Sequence, residues 1–414
     1  MRNKKGSLMV FAALLLAGAQ AASAAEDTTF KLFWKDGIRG ESGDGDFKFK
    51  LGGRLQFDGA FFQQDNDNQK SFGGMHDGSE FRRARLELDA VIYQRFIFKT
   101  QYDFANGSPA LKDCYLGMTG VPYIGRIRIG QSIEPLSLDQ ITSSKYSEFM
   151  ERGLTTTFAP DRNPGINLNN AFLNDRLTYG FGVFRNGDDT TGNSGGDGTW
   201  ALTGRLTGLP WYADENKLLH VGVAASYRDI SGTVRYSSRP EAHLAKTVAD
   251  TNDRSSETPP ITIAAKYAVT VGPEMAFVYG PYSLQSEFMY NYNDADKVEN
   301  PEFYAYSIGA SWWITGESRR FKTDLAEFDR VKPKRNFLQS GGLGAWELAL
   351  RYSYLDLDNG DITGGKVSDV TAGINWQWNP NMRMMFNYVH SNIEDKNNLD
   401  GAMNTYEMRA QVDF

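Results

Sequence analysis

The chain has 414 residues, a single cysteine and a formal net charge of −7. One cysteine cannot form an internal disulfide, and the excess of acidic over basic residues argues against a nucleic-acid-binding protein. Aromatic residues make up 13% of the sequence, and beyond the N-terminus no apolar run is long enough for a membrane-spanning helix.

The N-terminus predicts a secretory signal peptide over residues 1–24. Three basic residues among the first five precede an apolar stretch at residues 8–19, and the small residues 22–24 match the rule for cleavage. A retained membrane anchor is the alternative, although the apolar stretch is short for a bilayer. Cleavage implies export to the periplasm and removes three of the 44 basic residues against 51 acidic ones, which leaves a net charge of about −10.

Residues 25–46 predict a small N-terminal extension on the periplasmic side, with a hairpin turn around Lys35, Asp36 and Gly37. From residue 47 to residue 414, apolar and polar residues alternate with a period of two, which is typical of strands. We expect sixteen strands, at 47–62, 79–93, 95–105, 110–119, 123–132, 165–173, 176–186, 199–208, 217–229, 260–279, 282–292, 302–315, 345–357, 366–378, 381–391 and 404–414.

The last strand illustrates the two faces. Tyr406, Met408 and Phe414 fall on one face, while Glu407 and Arg409 fall on the other. Strands of ten or more residues with this pattern suit a tilted crossing of a bilayer. A closed barrel pairs every backbone group in lipid, and sixteen strands leave an aqueous lumen. The pattern predicts an all-β transmembrane antiparallel β-barrel; a soluble β-sandwich, the alternative, would have shorter strands.

Connections alternate between short turns and long loops, which is the outer-membrane pattern, so both termini are expected on the periplasmic side. Outer-membrane lipids would surround such a barrel, and the C-terminal strand that ends at Phe414 is expected to engage the barrel-assembly machinery. The long connections, rich in Gly, Asp, Asn and Ser, read as solvated loops; they are 63–78, 133–164, 187–198, 230–258 and 392–403.

Two connections differ from the others. Residues 133–164, the third extracellular loop, contain many apolar residues and are expected to fold into the lumen and constrict it. The alternative is a surface loop that caps the mouth or packs on a neighbouring molecule. Residues 316–344 lie on the periplasmic side, yet this turn is long and basic. No role follows from its sequence.

The strand at 79–93 carries the densest basic cluster. Strict alternation sends Arg83 and Arg85 to the lumen and Arg82 toward lipid, where an arginine costs about 2–4 kcal/mol at mid-bilayer. Arg82 is therefore expected near a strand end, snorkelling, or on a bulge that turns it inward. Lys99 on the next strand is a further lumen candidate. Guanidinium groups match phosphate oxygens, although an ordinary wet interior with balancing acids explains such charges equally well.

The chain resembles the phosphate-selective porin O and P family over nearly the whole mature length. The resemblance rests on stretches that occur in the same order and at similar spacing: 47–56 (FKFKLGGRLQ), 81–84 (FRRA), 142–145 (TSSK) with 151–152 (ER), 315–317 (TGE), 328–329 (FD) with 332–333 (KP), and 344–348 (GAWEL).

This resemblance implies a homotrimer of sixteen-stranded barrels that passes small anions such as phosphate. The arginines that narrow the pore in the family fall on Arg82, Arg83 and Arg152, and the accompanying lysine and aspartate fall on Lys145 and Asp113.

Two positions depart from the family pattern. Ile97 stands where a lumen lysine is expected, with Lys99 as the candidate substitute, and Arg85 stands where the family has an uncharged residue.

The expected function is a passive, water-filled diffusion channel of a Gram-negative outer membrane. It would prefer anions, with phosphate or polyphosphate selected by an arginine constriction; a weakly selective general diffusion porin is the alternative. A barrel enzyme is disfavoured because none of the four histidines accompanies a Gly-x-Ser-x-Gly motif. No metal or cofactor motif is present in the sequence.

Overall fold

The computed structural model describes residues 29–105, 107–186, 198–252, 262–296, 298–395 and 399–414. The predicted signal peptide at 1–24 lies outside the described residues, as do residues 187–197 of one predicted loop. No helix in the described ranges is both long enough and apolar enough to cross a membrane.

The described residues are mainly β-strand. The strands are β1 (Phe30–Trp34), β2 (Ile38–Ser42), β3 (Phe47–Gln64), β4 (Gly78–Ile92), β5 (Phe96–Asp103), β6 (Ala110–Val121), β7 (Gly125–Ile133), β8 (Arg162–Phe172), β9 (Leu177–Phe184), β10 (Ala201–Asp214), β11 (Lys217–Asp229), β12 (Thr233–Val234), β13 (Ser237–Ser238), β14 (Ala249–Asp250), β15 (Ile263–Tyr279), β16 (Tyr282–Ala295), β17 (Glu302–Trp313), β18 (Arg320–Lys322), β19 (Glu327–Asp329), β20 (Ala345–Asn359), β21 (Ile362–Asn379), β22 (Met382–Glu394) and β23 (Asp400–Asp413). The helices are α1 (Asn66–Phe72), α2 (Leu138–Ile141) and a 3₁₀ turn at Leu154–Phe158.

Sixteen long strands form the closed antiparallel barrel that the sequence predicts. Each pairs with the next in the chain, and β23 pairs with β3 from Met403↔Gln64 to Asp413↔Arg54, which closes the sheet. All sixteen predicted strands are found. The strand predicted at 199–208 continues as β10 to Asp214, because a bulge between Gly208 and Trp211 accommodates Pro210, which cannot donate to the ladder.

The two faces of the wall are chemically opposite. On β23 the side chains of Glu407, Arg409 and Gln411 are buried, whereas Tyr406 and Met408 are exposed. The same alternation recurs around the barrel, so the exposed outer surface is apolar and the inner face carries the polar and charged groups. This is the arrangement a bilayer requires of a spanning sheet.

The N-terminal strands extend the wall at the edge where β3 begins. β1 and β2 form a hairpin around residues 35–37, and β2 pairs with the start of β3. The last strand ends where this pairing stops, since Phe414 exchanges two backbone hydrogen bonds with Gly53 (2.8 and 3.0 Å). The ring of Trp34 stacks on that of Phe414, with 6.4 Å between centroids. The N-terminal hairpin and the C-terminal residue are therefore both held on β3.

Residues 134–161, the connection between β7 and β8, contact the polar face of the wall. The backbone oxygens of Ser144 and Met150 accept hydrogen bonds from Gln56 (3.1 Å) and Arg409 (2.6 Å), which lie on opposite partners of the β3–β23 closure. Leu136 and other apolar side chains of the loop are buried. The loop thus supplies hydrogen-bond acceptors to polar side chains of the wall, and its own apolar side chains are shielded from water.

The loop at 230–258 differs from the expectation of a solvated connection, and the basic turn at 316–344, for which the sequence indicated no role, contains a hairpin. In the turn, β18 and β19 form a hairpin whose Phe321 and Phe328 pack in one apolar cluster with Leu138 of loop 134–161. In the described part of the loop, Glu241 is buried and accepts hydrogen bonds from Arg351 and Thr371. The sequence did not indicate the buried contacts of loop 230–258 because its apolar residues are few and widely spaced.

Gly130 offers a test of the wall packing. Its φ is +132°, and a Cβ there would lie 2.3 Å from the carbonyl oxygen of Cys114 on the paired strand. We expect Gly130→Ala to lower the free energy of unfolding by about 1–3 kcal/mol. The measurement is urea unfolding in detergent micelles, with the folded fraction read from the heat-dependent shift in gel mobility.

Gly204→Ala is the matched control, because the nearest atom to a Cβ at Gly204 is 3.6 Å away and the position faces outward. Its unfolding free energy should stay within about 0.5 kcal/mol of the wild type. Equal destabilisation by the two substitutions would contradict the assigned strand packing.

Candidate functional site

A cavity of about 770 Å³ lies between loop 134–161, the β18–β19 hairpin and the wall formed by β3 to β10. Its lining contains fourteen basic and six acidic side chains. The basic residues are Lys50, Arg54, Arg82, Arg83, Arg85, Lys99, Lys112, Arg126, Arg128, Lys145, Arg152, Arg162, Arg205 and Lys322; the acidic residues are Glu87, Asp89, Asp113, Asp161, Asp324 and Glu327. All seven residues singled out from the sequence line this one cavity.

Arg82 faces the cavity because of a bulge in β4. Gln56 pairs with Arg83 and Phe57 pairs with Phe81, so Arg82 is the extra residue between them. Phe81 is exposed on the outer surface, whereas Arg82 and Arg83 both line the cavity. Of the three alternatives that the sequence left open for Arg82, the bulge is the correct one, and it spares the cost of an arginine facing lipid.

Arg82 is held by an acidic residue of loop 134–161. Its Nε and Nη2 atoms donate to the two carboxylate oxygens of Glu151, each at 2.9 Å, and Arg409 donates to the same carboxylate at 2.9 Å. Burial alone raises the pKa of Glu151, but the guanidinium groups of Arg82, Arg83 and Arg409 hold that pKa well below its usual range. Glu151 therefore stays ionised and cancels part of the charge of Arg82.

Arg83 and Arg54 have only neutral hydrogen-bond partners. Arg83 donates to the side-chain oxygen of Gln56 at 2.9 Å, and Arg54 donates to the hydroxyls of Ser144 at 2.6 Å and Ser143 at 3.5 Å. Neither guanidinium has a carboxylate within ion-pair distance among the described residues. Neither charge is therefore neutralised by a direct ion pair with a described residue, and each guanidinium retains donors for an anion.

Arg152 braces the loop that carries it. Its Nε donates to the carbonyl oxygen of Asp139 at 2.8 Å, and its Nη2 donates to the carbonyl oxygens of Gln140 and Thr142 at 2.9 and 3.1 Å. These partners carry no formal charge. Arg152 thus adds positive charge to the cavity while it closes the turn of α2 onto the rest of the loop.

Three of the five lysines of the cavity gather around two carboxylates of β4. Lys145 lies 3.0 Å from Glu87, and Lys99 lies 3.5 Å from Glu87 and 2.9 Å from Asp89. Lys50 is 3.9 Å from Glu87. Three ammonium groups therefore share two acids. Burial, followed by repulsion from Arg54, lowers the pKa of Lys145 to about 8, although Glu87 opposes this shift.

Asp113 and Arg85 each have a close partner of opposite charge. Asp113 accepts from Nε and Nη2 of Arg162 at 3.1 and 3.2 Å, and Arg85 donates to Asp103 at 2.6 Å. Asp113 therefore neutralises Arg162 most directly, rather than the Arg82–Arg83 pair. The aspartate does lie in the cavity lining, as the sequence comparison led us to expect.

Sequence reasoning assigned no role to Arg54, Arg126, Arg128 or Arg162. Arg126 and Arg128 flank Ile127 in β7, a period-two signal that could have placed both on the inner face. Arg54 lies within the very stretch that carries the family resemblance. Arg162 was read as part of a loop, but it begins β8, and pairing with Ile133 orients it toward Asp113.

The arrangement can attract and hold anions. Uncompensated guanidinium and ammonium groups in a low-dielectric wall concentrate negative ions, and fixed donors replace part of the lost hydration. In the described ranges, no group of three or more His, Cys, Asp or Glu side chains is placed to hold a metal ion.

Solved outer-membrane channels share the fold. The anion-selective porin from Comamonas acidovorans aligns with 89% of this chain and 100% of its own length at 12% identity, with a TM-score of 0.54. The outer-membrane channel DcaP of Acinetobacter baumannii aligns with 90% of this chain and 99% of its own at 17% identity, with a TM-score of 0.55. At these identities the likeness extends to the barrel alone.

Sequence comparison is more specific. Porin O of Pseudomonas aeruginosa is 28% identical over 435 residues, covering 96% of this chain and 96% of its own. The family model for phosphate-selective porin O and P matches residues 49–414. The chain therefore belongs to the phosphate-selective porin O and P family, and it is an outer-membrane porin.

Proposed function

We propose that this porin prefers anions and that phosphate is among the ions it selects. The observation that carries the proposal is the basic lining of the cavity, where fourteen cations face six acids although the whole chain carries a charge of −7. Arg54 and Arg83 are the principal anion contacts, with Arg82, Arg152 and Lys145 contributing charge around them. Loop 134–161 narrows the passage from one side and the β4 wall from the other.

Membership of a family described as phosphate-selective supports the choice of phosphate. A phosphate oxygen accepts the paired donors that a guanidinium presents, whereas chloride accepts them without directional preference. The many wall arginines suit transient contacts that an anion can leave, which conduction requires.

The proposal includes a homotrimer in the outer membrane. OmpT of Vibrio cholerae, which shares the fold at a TM-score of 0.53, is described in a trimer form. Assembly would proceed through the barrel-assembly machinery, for which the aromatic C-terminus at Phe414 is the expected signal, and lipid would cover the apolar outer face.

Removal of two guanidinium groups that have only neutral hydrogen-bond partners tests the anion preference. In planar bilayers with a salt gradient, Arg54→Ala combined with Arg83→Ala should lower the permeability ratio of anion to cation by roughly threefold or more, because the local potential is several kT. The readout is the reversal potential. Lys266→Gln is the control, since Lys266 is exposed and paired with Asp296 outside the cavity. An unchanged reversal potential in the double variant would leave a general diffusion porin as the function.

The pKa of Lys145 predicts a pH dependence. At about 8, the side chain is mostly protonated at pH 7 and mostly neutral at pH 9, so anion preference should fall as the pH rises through this window. Lys145→Arg should abolish the fall because a guanidinium remains charged throughout. A variant with arginine that retains the same pH dependence as the wild type would contradict the assignment to Lys145.

Block of the chloride current by added phosphate tests phosphate selection. In single-channel recordings with chloride as the carrier, added phosphate should reduce the current through the wild type at millimolar concentration or below, because bound phosphate occupies the passage. The Arg54→Ala, Arg83→Ala double variant should need roughly tenfold more phosphate for the same block. Sulfate at equal concentration is the reference anion, and equal block by both ions would restrict the function to general anion passage.

A further inference from the structure

The chain between the β18–β19 hairpin and β20 is positively charged and contains no acid. Residues 330–346 include four basic residues and neither Asp nor Glu. Arg330 is buried and paired with Asp413. Lys332, Lys334 and Arg335 are exposed, and none has a carboxylate within ion-pair distance in the part of the chain that the structure describes.

Residues 336–343, which we name the rim loop, lie against the outside of the barrel at its periplasmic end. The ring of Phe337 packs on that of Trp376, with 4.7 Å between centroids, and the backbone N–H of Phe337 donates to the carbonyl oxygen of Trp378 at 2.7 Å. Trp376 continues the outward face of β21, on which Val370 and Ile374 are exposed. The rim loop therefore sits where the outer surface meets the bilayer boundary.

The rim loop is held in shape while it exposes two leucines. The carbonyl oxygen of Leu343 accepts from the indole nitrogens of Trp346 at 3.2 Å and Trp376 at 2.9 Å. Leu338 is 80% exposed and Leu343 is 69% exposed. Leu338 also has a φ of +61°, a backbone conformation that a leucine adopts only at a cost. An ordered loop that exposes leucines, and that directly follows cations with no carboxylate partner among the described residues, indicates an interaction surface.

We propose that Lys332, Lys334, Arg335 and the rim loop bind an anionic phospholipid of the leaflet that faces the periplasm. The three cations would hold the phosphate, and Leu338 and Leu343 would enter the acyl region. Exposed cations beside a bilayer are attracted to anionic headgroups, and their apolar stems can lie along the interface.

A lipid fits this surface better than a protein partner. The rim loop is continuous with an aromatic girdle on the outer face that includes Trp312, Trp346 and Trp376, and such girdles lie at headgroup depth. A second copy related by a two-fold axis would bring its cations against those of the first, and like charges repel. The interfaces of a three-fold ring join different surfaces, so contact between copies is an outcome of the test.

Native mass spectrometry of the full chain in detergent, titrated with phosphatidylglycerol or phosphatidylcholine, tests the proposal. The wild type should bind phosphatidylglycerol more tightly than it binds phosphatidylcholine. The combined variant Lys332→Gln, Lys334→Gln, Arg335→Gln should lose about tenfold or more of that affinity and little of its affinity for phosphatidylcholine.

The matched control is Arg95→Gln, Arg176→Gln, Lys217→Gln, which removes three exposed cations from other connections at the same end of the barrel. This control should bind phosphatidylglycerol as the wild type does. Leu338→Ser with Leu343→Ser should weaken binding of both lipids, because it removes only the apolar contact.

Three results would overturn the proposal. They are an unchanged affinity for phosphatidylglycerol in the first variant, an equal loss in the control, and a change in the mass of the assembly with the leucine variant, which would place the rim loop between copies. The three cations lie outside the cavity lining, so the reversal potential of the first variant should equal that of the wild type. Failure of lipid binding therefore leaves the proposed anion preference untouched.

Discussion

A charged side chain that faces the hydrocarbon of a bilayer at mid-depth costs about 2–4 kcal/mol in a barrel, so the spanning strands must turn their charges inward. The bulge at Arg82 satisfies this constraint. One extra residue in β4 places two consecutive arginines on the inner face, so neither faces lipid. The consequence is an interior crowded with ions, in which each buried charge needs a partner or a set of donors and acceptors.

The connections that fold against the inner wall supply many of those partners. Backbone oxygens of loop 134–161 accept from Arg383 and Arg409, and Glu241 of the loop after β11 accepts from Arg351. The β18–β19 hairpin contributes the carbonyl oxygen of Ala326 to Arg205. These segments contact polar side chains of the wall, and the cavity beside β3 to β10 lies between loop 134–161, the β18–β19 hairpin and that wall.

Opposite charges are distributed unevenly inside the barrel. Several acidic side chains that do not line the cavity form close ion pairs with arginines. Examples are Asp58 with Arg409 and Glu148 with Arg319. The lining is left with a formal excess of eight positive charges, fourteen basic against six acidic side chains. A chain that is acidic overall can therefore present a basic passage, because an ion in a narrow low-dielectric space responds to the nearest charges and is screened from distant ones.

The sequence by itself determined the barrel, its strand number and the polar inner face. Alternation with a period of two is set by local backbone geometry, so it can be read without knowing which strands pair. The family motifs identified several residues of the cavity. Arg82, Arg83, Arg85, Lys99, Asp113, Lys145 and Arg152 were all identifiable in this way or by resemblance. Only the tertiary structure decided which charges remain uncompensated, since Glu151 neutralises Arg82 from 69 residues away while Arg54 and Arg83 meet only neutral groups. Such pairing depends on how loops fold across the interior, and that depends on contacts between residues far apart in the chain.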